Sequence, residues 1–135
     1  MQVTSYLSFN GRCDEAGAFY RKALGAEVTM LMRFKESPDQ AMCAPGSDNK
    51  IMHSYITVGE TGIMISDGRN TGQPKFEGFA LSIATKTEAE ADKFFNALLA
   101  DGGKVTMPQS KTFFSARFGM LADKFGVNWM ILVAQ

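Results

Sequence analysis

The chain carries one histidine, His53, and two cysteines, Cys13 and Cys43. An imidazole near neutral pH can serve as a general base, a hydrogen-bond partner or a metal ligand. Zinc and iron sites usually take two or three imidazoles or a set of cysteines, so ligands are short from the outset. Over residues 51–58, alternation groups His53 with Ile51, Tyr55 and Thr57, and groups Met52, Ser54, Ile56 and Val58 on the opposite face. The second set is more uniformly apolar and suits a helix-covered side. That turns His53 and Tyr55 toward an open, concave side, where the imidazole could meet a ligand. Its plainer role is a hydrogen bond in the sheet or a dimer contact. Spacing places no Ser or Cys beside it, so a nucleophile–base pair has no support.

Four further residues carry binding chemistry. Arg33 and Arg117 fall in expected strands, where a guanidinium either grips a carboxylate or phosphonate in a cavity or reaches to the sheet edge. Phe79 and Trp129, with Phe113 and Phe114, could wall an apolar pocket or simply fill a core. Cys13 sits near an expected helix start, where the dipole favours a thiolate. Asp14 and Glu15 oppose this, and packing is the expected role. The nine methionines would make a pocket adaptable or fill a core.

The rest of the chain must position these groups. It has 135 residues, 45% of them apolar, which suffices for one core without disulfide or metal staples. Fourteen Lys and Arg balance fourteen Asp and Glu, so no basic excess draws nucleic acid or an anionic membrane. No stretch approaches the roughly 18 apolar residues of a membrane span. The start, Met1-Gln2-Val3-Thr4-Ser5, lacks a signal-peptide pattern, and the cysteines form no CxxC. A soluble cytoplasmic protein is expected.

Self-similarity organises the chain. A shift of 75 places Glu15-Ala16 on Glu90-Ala91 and Phe19-Tyr20 on Phe94-Phe95. With an insertion near Gly102-Gly103, Val28-Thr29-Met30 falls on Val105-Thr106-Met107. Each copy opens with a strand, Val3 to Phe9 and Phe79 to Ala84. Each then enters a helix: Cys13 to Leu24 before Gly25, and a second opening at Thr87 with Glu90 three residues on. Three strands follow in each half: Glu27 to Phe34, Ile51 to Val58 and Gly62 to Ser66, then Lys104 to Met107, Phe114 to Leu121 and Val127 to Val133. Lys35 to Lys50 and Asp67 to Lys75 read as loops. The expected fold is α+β, a single domain over 1–135. Two βαβββ modules, 1–70 and 75–135, form a curved, mostly antiparallel eight-stranded sheet with helices on one face.

Paired βαβββ modules carrying Phe19-Tyr20-Arg21-Lys22-Ala23-Leu24-Gly25 resemble the vicinal oxygen chelate superfamily, which includes glyoxalase I, extradiol dioxygenases and bleomycin-resistance proteins. Tyr6-Leu7-Ser8-Phe9-Asn10-Gly11, Lys50-Ile51-Met52-His53-Ser54 and Asp123-Lys124-Phe125-Gly126-Val127-Asn128-Trp129-Met130-Ile131 are similar to its PhnB-like branch. Members of that branch are often described as ubiquinone-pathway methyltransferases. The sequence shows no glycine-rich strand-to-helix turn of the kind that cradles a nucleotide-like cofactor.

The resemblance implies a small-molecule cavity and a homodimer. In metal-dependent relatives the ligands project from the first and last strand of each half. The corresponding residues here are Ser5, Met64 or a neighbour, Phe79 and Ile131, none an ordinary ligand. The expectation is a glyoxalase/bleomycin-resistance-like protein with a metal-independent cavity and no cofactor, contacted by His53, Tyr55, Arg33, Phe79, Arg117 and Trp129. One alternative is a metal-dependent lyase, isomerase or dioxygenase recruiting carboxylates from a second subunit. Another is a dimeric scaffold whose cavity is filled by its own aromatic side chains.

Overall fold

In a computed structural model, residues 1–68 and 72–135 are described, and part of the expected Asp67–Lys75 loop lies outside them. The chain forms two compact units, residues 1–74 and 75–135. Each runs strand, helix, three strands. In the first, β1 (Ser5–Ser8) and α1 (Cys13–Leu24) precede β2 (Glu27–Arg33), β3 (Ile51–Val58) and β4 (Thr61–Ser66). In the second, β5 (Leu81–Thr85) and α2 (Glu88–Leu98) precede β6 (Lys104–Ser110), β7 (Phe118–Ala122) and β8 (Asn128–Val133).

The eight strands divide into two four-stranded mixed sheets, ordered β1-β4-β3-β2 and β5-β8-β7-β6. One pairing in each is parallel, β1 with β4 and β5 with β8, and the rest are antiparallel. A parallel first-to-last pairing needs a crossover, which each helix begins.

The apolar spacing of α1 becomes its buried face: Ala16, Phe19, Tyr20, Ala23 and Leu24 are all buried. Gly25 ends the helix in the left-handed region at φ 69°, its N–H donating to the Arg21 carbonyl and the Ala26 N–H to that of Tyr20. In α2 the Thr87 Oγ1 accepts the Glu90 N–H at 3.1 Å, as the Thr-x-x-Glu spacing predicts. Thr87→Ala should cost about 1 kcal/mol in chemical denaturation, whereas Thr87→Asp should retain most of the stability.

Most boundaries fall within two residues of expectation, and two differ by more. The strand expected from Phe114 begins at Phe118, because Thr112 Oγ1 accepts the Phe114 and Ser115 N–H groups and closes a turn. Ser115 Oγ then donates to the Val133 carbonyl at 2.9 Å, which pins that turn beside the end of β8. The strand expected to end at Met107 runs on to Ser110 through Pro108. The edge position of β6 tolerates the missing N–H.

Candidate functional site

Pairing decides which residue faces which way. In the first module, Leu7 pairs with Ile65 and Ile65 with Ser54. Ile65 lies against α1, with its Cδ1 3.9 Å from where a Cβ on Gly17 would stand. The neighbouring row, Tyr6, Met64, Tyr55 and Met30, therefore faces away from α1. His53 shares that face, and its ring stacks on Tyr6 with centroids 5.9 Å apart and planes 24° apart. Tyr55 lies across Gly62, whose Cβ, had it one, would coincide with the tyrosine hydroxyl.

This face of the first sheet carries two tyrosines, an imidazole and methionines, with Tyr6 52% and Met30 41% exposed. It offers stacking and soft apolar contact, and among the described residues of its strands no lysine or arginine faces the same way. Gly62→Val should displace the Tyr55 ring and cost about 1–3 kcal/mol as an overpacking change. Shifted Tyr55 ring resonances in NMR spectra would report it.

The other expected contacts lie elsewhere. Arg33 is held in a bidentate pair with Asp14, Nη1–Oδ2 2.8 Å and Nη2–Oδ1 3.0 Å, and also donates to the Asn49 carbonyl. It fastens the end of β2 to the first turn of α1. The Arg33 guanidinium, chiefly by hydrogen bonding, holds the Asp14 carboxyl below its usual range. Its contribution to stability is therefore present above the ordinary carboxylate range and lost as pH falls through the depressed value. Asp14 is 60% exposed, so the effect is small and shrinks with added salt, as an acid titration at two ionic strengths would show.

Arg117 precedes β7 instead of lying within a strand, and its Nε donates to Asp92 Oδ1 of α2 at 2.6 Å. Phe79 precedes β5 and is 47% exposed. Phe113 is 96% exposed and meets Phe114 edge-on in the Thr112–Ser115 turn. Trp129 is 3% exposed and is not on the open face of its sheet. It pairs with Leu121, two residues from Gly119, and a Cβ on Gly119 would collide with Phe95 of α2. Trp129 thus faces the helix side, its Nε1 donating to Asp123 Oδ2 at 2.9 Å.

The positions proposed for metal ligands also shift. Ser5 pairs with Ile63 and Ile131 with Gly119, so both belong to helix-side rows. One step along each strand brings Tyr6 and Ser8 in β1, Ser82 and Ala84 in β5, and Met130 and Leu132 in β8 to the opposite face. Met64 lies on the open face of the first sheet. Apart from Tyr6, whose phenolate could ligate ferric iron, none of these side chains is an ordinary ligand for zinc or iron. Among the described residues, no group of three or more His, Cys, Asp or Glu could hold a metal ion. Within either module the donor set does not fit such a centre.

Spacing also missed two carboxylates that hold the scaffold. Asp67, 3% exposed, accepts the Gly11 and Cys13 N–H groups on Oδ1 at 2.7 and 2.9 Å, and the Ile51 N–H on Oδ2 at 2.8 Å. It caps α1 from the end of β4, where Arg12 makes no side-chain cap. Asp123 accepts the Phe125 and Val127 N–H groups and the Trp129 indole. Beside Asp67, Cys13 is fully buried, and burial, reinforced by Asp67 and Asp14, pushes its thiol far above its ordinary range. It is a packing residue.

Two βαβββ modules built on mixed four-stranded sheets define a protein of the vicinal oxygen chelate superfamily, of the glyoxalase/bleomycin-resistance type. Within that superfamily, the chain belongs to the PhnB-like family described as 3-demethylubiquinone-9 3-methyltransferase, which matches residues 1–132. It is 36% identical to protein YjdN of Escherichia coli K12 over 143 aligned residues, covering 100% of this chain and 97% of YjdN. The crystal structure of PA1353 from Pseudomonas aeruginosa is 38% identical with a TM-score of 0.87, covering 100% of this chain and 98% of that one. A putative 3-demethylubiquinone-9 3-methyltransferase, PhnB protein, from Bacillus cereus is 28% identical with a TM-score of 0.79, covering 99% and 100%. The fosfomycin resistance protein FosX of Listeria monocytogenes shares the fold, with a TM-score of 0.66 at 11% identity over 100% of this chain and 94% of that one. No helix among the described residues is long and apolar enough to cross a membrane.

Proposed function

We propose that the protein binds a small, planar, largely uncharged molecule without a metal, on the open face of the first module's sheet. The observation that carries this is the Tyr6–His53 stack, 5.9 Å between centroids, with Tyr55 lying over Gly62 on the same face. Aromatic faces contribute stacking area at little entropic cost, and Met30 and Met64 adapt to the ligand's outline. The methyl transfer in the family's description is not part of this reading. The β1–α1 turn, Phe9 to Arg12, holds the single glycine Gly11 instead of a phosphate-cradling glycine series, and neither sheet is a doubly wound parallel one. The reading includes a homodimer, a common state in the superfamily, which light scattering on the purified protein would check.

A thermal-shift screen over planar antibiotics, thiols, phosphonates and small acids tests the site. The expected result is a planar hit whose affinity falls about tenfold, the worth of 1.4 kcal/mol of lost stacking, in Tyr6→Ala and His53→Ala. Hits that bind equally well to those variants and to Tyr55→Ala would remove the site. One stoichiometric metal in untagged protein, lost in His53→Ala, would replace this reading with a metal-dependent lyase, isomerase or dioxygenase.

A further inference from the structure

On the opposite face of the same sheet, α1 does not cover the outer strand. A groove of about 540 Å³ opens between α1 and the β2–β3 edge, within the 300–1,000 Å³ range of small-molecule sites. Its apolar lining includes Val28, Leu31, Ile51 and Ile65. Val28 and Leu31 are 47% and 38% exposed there, unusual for aliphatic residues on the helix side of a sheet.

The polar groups in the groove are mostly spent. Ser54 Oγ donates to the Met30 carbonyl at 2.9 Å, and both oxygens of Asp14 are taken by Arg33. Cys13 is neutral, as its burial dictates. Arg21 and Lys22 also line the groove, and among the described residues their side chains have neither hydrogen bond nor ion pair. The result is an apolar trough with a net positive rim.

In the second module the outer-strand residue corresponding to Val28 is Val105, also 47% exposed, and the position corresponding to Ser54 is Gly119. Ser54 stands two residues before Ile56, the partner of Val28, and Gly119 stands two residues before Leu121, the partner of Val105. A Cβ on Gly119 would lie 2.7 Å from Phe95 Cε2 and 2.8 Å from Gln109 Cγ. Beside Gly119, atoms of Phe95 and Gln109 thus occupy the space that a side chain there would need.

We propose that this groove binds a medium-chain carboxylate, its alkyl chain along Val28, Leu31 and Ile65 and its carboxylate at Arg21 and Lys22. From Cys13 to Lys22 the helix advances about 13 Å at 1.5 Å per residue, a length suited to an extended chain of that class. An exposed ion pair adds modest affinity, so two cations should favour the acid over the equally long alcohol by about fivefold.

Calorimetric titration of the full chain with octanoate, 1-octanol and octyltrimethylammonium, all below micellar concentrations, tests this. The expected result is one saturable octanoate site, about fivefold weaker binding of octanol, and weaker binding still of the cation. The Arg21→Glu/Lys22→Glu variant should lose the preference for the acid. Val28→Trp, a change at an exposed position, should block the groove with the melting temperature maintained. Tyr6→Ala and Tyr55→Ala should leave octanoate binding intact, which separates this site from the open face. Absence of saturable binding, an undiminished preference in the charge-reversed variant, or loss of binding in the open-face variants instead would each overturn the proposal.

Discussion

Replacing Asp67 by alanine should lower the unfolding free energy by about 3–5 kcal/mol, read as a fall in denaturation midpoint at constant slope. Its carboxylate is 3% exposed and accepts three backbone N–H groups, from Gly11, Cys13 and Ile51. Those donors belong to the β1–α1 turn, the first turn of α1 and the start of β3. A buried donor left without a partner costs about 1–3 kcal/mol, and water entering the vacated space recovers part of the sum. Asp67→Asn separates charge from shape. The amide keeps one acceptor and presents a donor to a backbone N–H, so it should recover less than half the loss. A loss below about 1 kcal/mol for Asp67→Ala would mean that the turn and the helix start hold themselves without this carboxylate.

Trp129→Ala should be as damaging, at about 3–5 kcal/mol, because it empties a core position and removes the indole donor from Asp123. Trp129→Phe should cost less, since the ring volume is largely kept and only the hydrogen bond at 2.9 Å is lost. Trp129 is the sole tryptophan, so its fluorescence reports this one location. A buried indole emits to the blue of an exposed one, and unfolding should shift the band to the red in step with the backbone signal. Ligands that bind through Tyr6, His53 and Tyr55 should leave the native band in place. A ligand that quenches it by direct contact would restore Trp129 to the binding residues and displace it from the core role.

Local pattern was a sound guide wherever period and face are properties of a single segment. The helix Cys13–Leu24 and the strand Ile51–Val58 occur at the bounds their spacing indicates, and Gly25 and Thr87 act as the caps their types favour. Alternation along Ile51–Val58 also separated His53 and Tyr55 from Ser54 and Ile56 before any partner strand was known, but it put Ile51 on the His53 face, whereas Ile51 lies on the helix side, beyond the register shift at Met32–Arg33. The register taken from the resemblance, by contrast, failed for Ser5 and Ile131. Assigning a face to a short strand requires its register, and a slip of one residue reverses every side chain.

The remaining differences come from partners distant in sequence. Arg33 and Arg117 have the right chemistry for gripping an anionic ligand, but Asp14 and Asp92 reach them first. Asp67 meets Gly11 and Cys13 across 56 and 54 residues, a separation that no local motif encodes. The chain alone therefore determined the element order, the helix caps, the apolar stripes and the shortage of metal ligands, because each depends on residue type at short spacing. Tertiary structure decided which face each strand turns outward, which charges are already paired, and where the sheet is left uncovered by its helix. Those outcomes follow from strand register and from side chains brought together by the fold, which distance along the chain does not specify.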